Sequence, residues 1–332
     1  MIHGQIASLK KMTSLEKKET LISVLMPTYN VEKYIEKSVR SILEQNYSNF
    51  ELIIVDDCST DETYNILKKL AIEDDRIKLY RNENNLKICK TLNKAFFYSS
   101  GKYILRMDGD DISEPNRITV LKDFLDKNNK IMIVGSQLIS IDDNGKEIGR
   151  KKYPLMSKTI RKCNKFISSV PHFWMARRSV YEELKGYRDI PYAEDYDFLL
   201  RGELHDFNYA NVPEYLYRCR IRIGNTSSAN GLIQRKTSDF VRKQHKKEIK
   251  IGHESLDQKE YKRYIVSTEK QKLRHIKSAN YLNKAITIDR HNFKFLIDIG
   301  LAMVESKYTA KYLLTAAISR ILIYTERMVW SL

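Results

Sequence analysis

Strand and helix patterns take turns along residues 22–135, and this alternation constrains the fold more than any other feature of the sequence. Short apolar runs closed by turn residues, such as 22–26 and 50–55, predict buried strands. Residues 31–45 lie between these two runs and carry apolar side chains at helical spacing. Further strands are predicted at 77–80, 103–107 and 131–135. Further helices are predicted to begin at 59–62 and to span 86–98 and 115–128. The pattern predicts an α/β fold with a doubly wound, mostly parallel sheet flanked by helices.

Acidic residues follow two of the predicted strands. Asp56 and Asp57 come after the strand at 50–55, and Asp108, Asp110 and Asp111 come after the strand at 103–107. Ligands of doubly wound sheets bind at the carboxyl ends of the strands. Three carboxylates within four residues are hard oxygen ligands that suit Mg²⁺ or Mn²⁺. The alternative interpretation is an ordinary acidic turn without a ligand, because Asp is common in turns.

A third acidic element begins a helix with apolar residues at regular spacing. Glu194 and Asp195 stand in the first turn of this helix, which is predicted to run through Arg201. A carboxylate in this position can accept a proton from a substrate hydroxyl as a general base. It can equally complement the positive end of the helix dipole. These residues alone leave both interpretations open.

The rhythm of strand and helix stops after Gln137. A hairpin turn is predicted at 143–145, and a mixed region follows. Beyond about Asn230 the strand signals nearly vanish, and the rest of the chain is predicted to be helical. We therefore expect an N-terminal extension at 1–20, an α/β domain at 21–229 with halves at 21–136 and 137–229, and a helical region at 230–332, basic at first and then apolar.

Positive charge concentrates in the C-terminal third. Residues 226–332 hold 21 Lys and Arg against 10 Asp and Glu, a net charge of +11 out of +16 for the whole chain. Such an excess suits nucleic acid, an anionic membrane, a phosphorylated acceptor or simply a solvated helix surface. The chain carries no helix-turn-helix, RNP or zinc pattern, so we do not expect a nucleic-acid partner.

The sequence predicts a cytoplasmic protein. Its four cysteines form no CxxC pair, which argues against a zinc ribbon or a thioredoxin motif and favours reduced thiols. Residues 1–20 lack the apolar run of a secretory signal, and no stretch reaches about 18 uncharged apolar residues. We therefore expect the catalytic part to lie in the cytoplasm.

Four motifs occur in order and carry a specific resemblance. They are VLMPTYN at 24–30, IIVDDCSTD at 53–61, RMDGDD at 106–111 and AEDYD at 193–197. Together they resemble the inverting family-2 glycosyltransferases of the Rossmann-like GT-A fold, in particular bacterial enzymes that build O-antigen lipopolysaccharide, capsule or exopolysaccharide. The resemblance implies transfer of a hexosyl or N-acetylhexosaminyl group from a nucleotide-sugar donor, by default a UDP-sugar. A saccharide or lipid-linked saccharide is then the acceptor.

The resemblance also implies how the donor is bound. Pro27 and Tyr29 are expected to line the nucleobase pocket, and Asp57 to hydrogen-bond the base. Asp108 is expected near the ribose and the diphosphate. Asp110 is expected to hold the Mn²⁺ or Mg²⁺ ion. A catalytically inactive nucleotide-binding scaffold is the alternative, although loss of Asp110 or Asp195 would be expected in such a protein and both are present.

On the acceptor side, the resemblance implies that Asp195 is the general base and that Glu194 contacts the acceptor. The segment at 171–178 is similar to a family segment that lines this side, so His172 and Trp174 are further candidates. A structural role for His172 stays equally open.

Several positions depart from the family pattern. The loop at 83–87 lacks a glycine that relatives often carry, and Lys185 stands at the first position of their Gly-Gly-Tyr motif. Arg220 and Arg222 stand where relatives often have His. These two arginines either bind phosphate or are surface charges.

Two apolar segments near the C-terminus, 293–304 and 312–330, are interrupted by charged residues. Such helices can lie in a membrane interface, here with Tyr324 and Trp330 as anchors. We therefore expect peripheral contact with the inner face of the plasma membrane through 230–332. The alternative is an apolar stripe that packs on the catalytic core or on a second subunit, which leaves a homodimer open.

Overall fold

The computed structural model describes residues 19–221, 231–286 and 292–330, with the backbone alone for residues 329 and 330. Nearly all of the expected N-terminal extension, the position of Arg222 and the side chain of Trp330 lie outside these described residues.

Four parallel strands form the first half of the sheet. They are β1 (Ile22–Thr28), β2 (Phe50–Asp56), β3 (Ile77–Arg81) and β4 (Tyr103–Arg106), in the order β3-β2-β1-β4. The connecting helices are α1 (Ile35–Leu43), α2 (Thr63–Glu73) and α3 (Lys87–Phe97). Strand and helix alternate as the periodicity predicts.

The second half of the sheet is mixed. Its strands are β5 (Ile112–Ser113), β6 (Ile131–Ile141), β7 (Glu147–Lys151), β8 (Met175–Arg177) and β9 (Asn208–Arg220), with helices α4 (Arg117–Lys127), α5 (Ser157–Asn164), α6 (Arg178–Glu183) and α7 (Glu194–Leu204). The short β8 lies antiparallel between β4 and β6, and β6 pairs in parallel with β9. In addition, β5 pairs antiparallel with the far edge of β9, and β7 forms the predicted hairpin with β6. One sheet thus joins both halves, parallel on one side and mixed on the other.

Helices cover both faces of the parallel strands, which explains why β1 and β2 are buried along their full length. Alternate side chains enter opposite layers of the core. Val24 and Met26 of β1 pack in the layer with α1 and α4, whereas Leu25 and Ile53 pack in the layer with α3. Because β1, β2 and β4 are parallel, the acidic residues that follow β2 and β4 meet at one edge of the sheet.

The two loops that lack the family's glycine keep a backbone that glycine favours. Lys87 has φ of +68° and Lys185 has φ of +53°. A side chain in this left-handed region costs about 1–2 kcal/mol. At both positions that depart from the family pattern, lysine therefore adopts the left-handed backbone conformation that glycine favours.

Beyond the sheet, the described residues contain helices and no strand. The helices are α8 (Gly231–Ile251), α9 (Gln258–Ile265), α10 (Glu269–Ile286), α11 (Phe293–Glu305) and α12 (Lys307–Trp330). Within the described residues, none of them combines the length and the apolar character that a membrane span requires.

These helices pack directly on the α/β part. Arg188 forms an ion pair of 2.7 Å with Glu248 of α8, and Phe240 of α8 shares an apolar cluster with Tyr196 of α7. The carboxylate of Glu326 in α12 accepts the backbone N–H groups of Leu155 and Met156, at 2.8 and 2.9 Å, where α5 begins. The C-terminal helices α8 and α12 therefore pack with one side on the α/β part, as the alternative to membrane contact predicts.

Candidate active site

A cleft of about 630 Å³ opens at the carboxyl ends of β1, β2 and β4. Seven of the predicted site residues line it, namely Pro27, Tyr29, Asp57, Asp108, His172, Glu194 and Asp195. The start of α7 closes one side of the cleft, and Gln234 of α8 also reaches it. The fold thus gathers side chains that lie up to 207 residues apart in the sequence.

The end of the cleft near β1 and β2 suits a flat ring. Pro27 is buried, whereas the neighbouring Tyr29 exposes 45% of its surface at the cleft. An exposed aromatic ring beside a buried wall can stack on a nucleobase. The predicted pair of residues therefore lies together.

Asp57 shapes the loop that borders this end. One of its carboxylate oxygens accepts from the Asn82 side chain at 2.7 Å and from the Leu86 backbone at 2.8 Å. The other oxygen accepts the Lys87 backbone N–H at 2.9 Å. A carboxylate has about four acceptor positions, so one remains for a ligand donor. Asp57 thus holds the backbone of Lys87 in place and can still bind a base.

Arg106 is the electrostatic centre of the cleft. Its guanidinium is buried and donates to Asp108 at 3.1 Å and to Glu194 at 3.1 Å. It therefore links the acidic turn after β4 to the start of α7. Burial alone would raise the pKa of Asp108, but the charges of Arg106 and His172 hold that pKa well below its ordinary value. Asp108 is consequently ionised.

Glu194 behaves differently although it shares the same arginine. Burial raises the pKa of Glu194, Arg106 lowers it and the adjacent Asp195 raises it, with a net upward shift. Its carboxylate forms an ion pair with Arg106 inside the wall of the cleft. The predicted acceptor contact is thus also a structural anchor of α7.

His172 lies between the two carboxylates that face the cleft. Its Nε2 is 3.0 Å from Asp108, and its Nδ1 is 3.9 Å from Asp195. About a quarter of each of these three side chains is exposed. A ligand that bridges the cleft would therefore meet all three.

A group suited to a divalent cation lies in the same place. One ligand atom each from Asp108, Asp111 and His172 falls within 4.8 Å of the others. Burial, together with the neighbouring carboxylates of Asp110 and Asp108, raises the pKa of Asp111 well above its ordinary value. Burial and the neighbouring acids thus disfavour the charged form of Asp111, and a cation bound here would reverse that effect. Two hard oxygens with one imidazole fit Mn²⁺ or Mg²⁺. The predicted ligand Asp110 stands in the same turn but outside this group of three.

Asp195 is accessible from the cleft at the start of α7. Its side chain is 23% exposed, and one oxygen accepts the backbone N–H of Tyr196 at 2.8 Å. Its other oxygen, the one nearer His172, faces the cleft. This is a geometry in which a carboxylate can accept a substrate proton.

Two other candidates lie away from the cleft lining. Trp174 is fully buried, donates to Tyr181 and stacks on Phe198, so it belongs to the core beneath the site. Arg220 is buried and donates to the backbone carbonyls of Asp110 and Asp142, both at 2.8 Å. Arg220 is therefore no surface charge, and it braces the acidic turn.

Sequence reasoning assigned no role to Arg106, although the signal was present. An arginine at the end of the apolar strand β4 must find counter-charges when that strand is buried. Tyr192 and Gln234 also line the cleft, and the sequence motifs did not predict them. Neither residue belongs to a motif, and only the packing of α8 on α7 reveals them.

Solved structures match nearly the whole chain. Residues 1–349 of TarS from S. aureus in complex with UDP-GlcNAc superpose with a TM-score of 0.56 at 17% identity, over 92% of this chain and 91% of the TarS 1–349 chain. The mannosyltransferase PcManGT from Pyrobaculum calidifontis, in complex with GDP-Man and Mn²⁺, gives 0.54 at 15% identity, over 98% and 94%. The α/β fold predicted from the sequence is confirmed as GT-A-like, with additional C-terminal helices.

Sequence relatives are closer. A glycosyltransferase from Haemophilus influenzae, described as uncharacterized, is 35% identical over 68% of this chain and 73% of its own length. The O-antigen biosynthesis glycosyltransferase WbnJ from Escherichia coli is 34% identical, over 63% of this chain and 83% of WbnJ. The family model "Glycosyl transferase family 2" matches residues 23–185. The chain therefore belongs to glycosyl transferase family 2 and is a glycosyltransferase.

Proposed function

We propose that this enzyme transfers a sugar, with inversion, from a UDP-sugar to a saccharide or lipid-linked saccharide during surface polysaccharide synthesis. The observation that carries the proposal is the convergence of Tyr29, Asp57, Asp108, His172 and Asp195 on one cleft. The O-antigen role in the name of WbnJ supports the pathway class. In this proposal residues 21–229 form the catalytic domain, and residues 230–332 form the helical region.

The donor lies along the carboxyl edge of the sheet. Tyr29 stacks on the nucleobase, and the open acceptor position of Asp57 binds the base N–H. The diphosphate then reaches the acidic turn at Asp108. This route places the anomeric carbon between Asp108 and Asp195, which His172 already connects.

Asp195 accepts the proton of the acceptor hydroxyl as its oxygen attacks the anomeric carbon. The attack comes from the face opposite the departing nucleotide, so one carboxylate is sufficient as a base. Arg106 keeps Asp108 ionised and fixes the start of α7 through Glu194. The distance between the acidic turn and the base is thereby set before substrate binds.

A divalent cation would be held by the acidic turn, with Asp110 as the ligand predicted from sequence and with Asp108, Asp111 and His172 in reach. When bound, it supplies positive charge for the diphosphate that accumulates charge as the nucleotide leaves. The proximity of ligand atoms from Asp108, Asp111 and His172 supports the fit.

Removal of divalent metal is expected to abolish transfer. Activity should vanish in excess EDTA and return with added Mn²⁺, because the carboxylates of the turn otherwise repel the diphosphate. Asp110→Ala is expected to abolish transfer while the fold stays intact, which circular dichroism checks. Full activity in EDTA would contradict the metal requirement. If Asp111→Ala abolishes transfer and Asp110→Ala does not, the ligand role belongs to Asp111.

We further propose that the enzyme works at the cytoplasmic face of the membrane through α11 and α12. The side of these helices away from the core exposes large apolar side chains, including Phe293, Leu296, Val304, Leu314, Ile321 and Tyr324. The region also carries the net charge of +11 described above. Each basic residue near an anionic surface contributes about 1 kcal/mol to binding.

Flotation with vesicles of phosphatidylcholine and phosphatidylglycerol tests this attachment. The full chain is expected to float with the vesicles at low salt and less at high salt, because screening weakens the attraction. A Leu314→Asp, Ile321→Asp double variant should stay at the bottom. The control is Ile72→Asp, which changes a still more exposed apolar residue on α2. If the unaltered chain fails to float at any salt concentration, the apolar face does not bind membrane.

A further inference from the structure

A second pocket adjoins the donor cleft, and we propose that it binds an acceptor saccharide that carries a negatively charged group, a phosphoryl or a carboxylate. The pocket has a volume of about 360 Å³ and lies between the start of α7 and the helices α8 and α12. The assignment rests on the proposed transfer reaction, since it names the substrate of that reaction's second half.

The position of the pocket fits an acceptor. Tyr192, Asp195 and Gln234 line both the donor cleft and this pocket, so the proposed base stands on the boundary between them. A hydroxyl of a saccharide bound here would be presented to Asp195 from the side away from the donor's base. No other described residue lines both spaces.

The boundary is built with strained backbone. Tyr192 has φ of +77°, a left-handed conformation that a bulky side chain rarely adopts. Such strain costs about 1–3 kcal/mol and persists at functional sites where the surroundings impose it. Here the conformation places the Tyr192 ring between the two spaces.

The lining combines aromatic rings with hydrogen-bonding groups, as saccharide sites require. Tyr308 and Tyr312 of α12 line one wall, and Phe166 and Tyr196 line the opposite side. Aromatic faces pack against the apolar faces of sugar rings, while hydroxyl and amide groups bind the sugar hydroxyls. Gln234 and Ser238 supply such polar groups from α8.

The charge of the pocket selects for an anion. Arg235 stacks on Tyr312, with 4.9 Å from the guanidinium to the ring centre, and donates to Thr309. In the described part of the chain it has no carboxylate partner, although it is half-buried. Burial lowers its pKa from the ordinary value, with Tyr312 acting in the opposite direction. A desolvated cation of this kind is stabilised by a ligand that brings negative charge.

Nearby cations add to this excess. Arg242 and Lys311 both line the pocket, and both form ion pairs with the same carboxylate, that of Asp239. One negative charge thus serves both of these cations and the exposed Lys243 as well. Among the described residues, Asp195 is the only acid that lines the pocket. The net charge of the pocket lining is therefore positive. A neutral saccharide would not compensate this charge, whereas an anionic one would.

Binding measured by calorimetry tests the assignment, with UDP and Mn²⁺ at saturation so that the donor cleft is filled. The probes are N-acetylglucosamine, N-acetylglucosamine 1-phosphate, glucuronic acid and inorganic phosphate. At least one of the two anionic sugars is expected to bind about tenfold or more tightly than the neutral sugar, because a charge-assisted contact is worth about that factor. Arg235→Gln should remove this preference, and Arg235→Lys should retain part of it.

Lys247→Gln is the matched control, since Lys247 is an exposed cation on the same helix, pairs with Glu260 and does not line the pocket. It should keep the preference for the anionic sugar. Equal binding of neutral and anionic sugars by the unaltered enzyme would overturn the inference, as would a preference that survives Arg235→Gln. Inorganic phosphate that binds as tightly as the sugar phosphate would show an anion site without saccharide recognition, and would overturn it too. UDP binding is measured first: its absence would count against the proposed function, whereas its presence without an anion preference counts against this inference alone.

Discussion

Asp195→Asn is expected to slow sugar transfer by about 10²–10⁴-fold, the usual contribution of a general base. The amide keeps the shape of the side chain and removes its proton affinity. Because Asp195 is partly exposed and pairs with no arginine or lysine among the described residues, the fold should tolerate the change. The affinity for UDP should stay within about twofold, since the base faces the acceptor. Steady-state kinetics and calorimetry check the two expectations separately.

The matched control is Asp189→Asn, which alters an exposed acid six positions earlier in the chain. It should leave the turnover unchanged. A near-normal rate in Asp195→Asn would assign the base elsewhere, with His172, at 3.9 Å from Asp195, as a candidate. A loss of UDP binding in parallel with the rate would show that Asp195 supports the donor site instead.

Arg106→Met is expected to lower the free energy of unfolding by about 3–5 kcal/mol, because removing one partner of a buried pair leaves an uncompensated charge. Here two carboxylates, Asp108 and Glu194, lose their shared cation. Transfer should fall with stability, since the acidic turn and the start of α7 are no longer held at a fixed distance. Urea unfolding followed by circular dichroism measures the stability.

Arg106→Lys separates charge from geometry. One ammonium group keeps the positive charge but cannot fork to both carboxylates, so an intermediate loss of stability is expected. Arg40→Met removes an exposed arginine that pairs with Glu36 and Glu73, and should change the stability far less, because ion pairs at the surface contribute little. An Arg106→Met protein as stable as Arg40→Met would refute the central role of this guanidinium.

Much of the first half of the fold could be predicted because the sequence signals there are local. The strands at 22–26 and 50–55 are buried on both faces and read as mostly apolar runs, and β1 and β2 follow them closely. The strand at 77–80 is only partly buried, and β3 also follows its prediction closely. The acidic turn at Asp108 could be predicted to reach the cleft because parallel strands end at the same edge.

The second half depends on contacts between distant residues. The strand β8 is only three residues long and is defined by its partners β4 and β6 rather than by its own pattern. The neighbours of Asp195 were equally hidden. Gln234 and Arg235 belong to no motif and reach the site only because α8 packs on α7. Helical periodicity predicts such a helix but not the surface on which it docks.

The central claim is that the cleft binds a nucleotide-sugar and releases its nucleotide. A screen of UDP-, GDP- and dTDP-sugars with Mn²⁺, read by thermal shift and by free nucleotide released, tests this claim most directly. We predict that a UDP-sugar raises the unfolding temperature, and that slow release of UDP in the unaltered enzyme disappears in Asp108→Ala. Stabilisation without any release of nucleotide, also in the presence of saccharide acceptors, would favour a nucleotide-binding scaffold. Failure of every nucleotide-sugar to bind would contradict the account of the site.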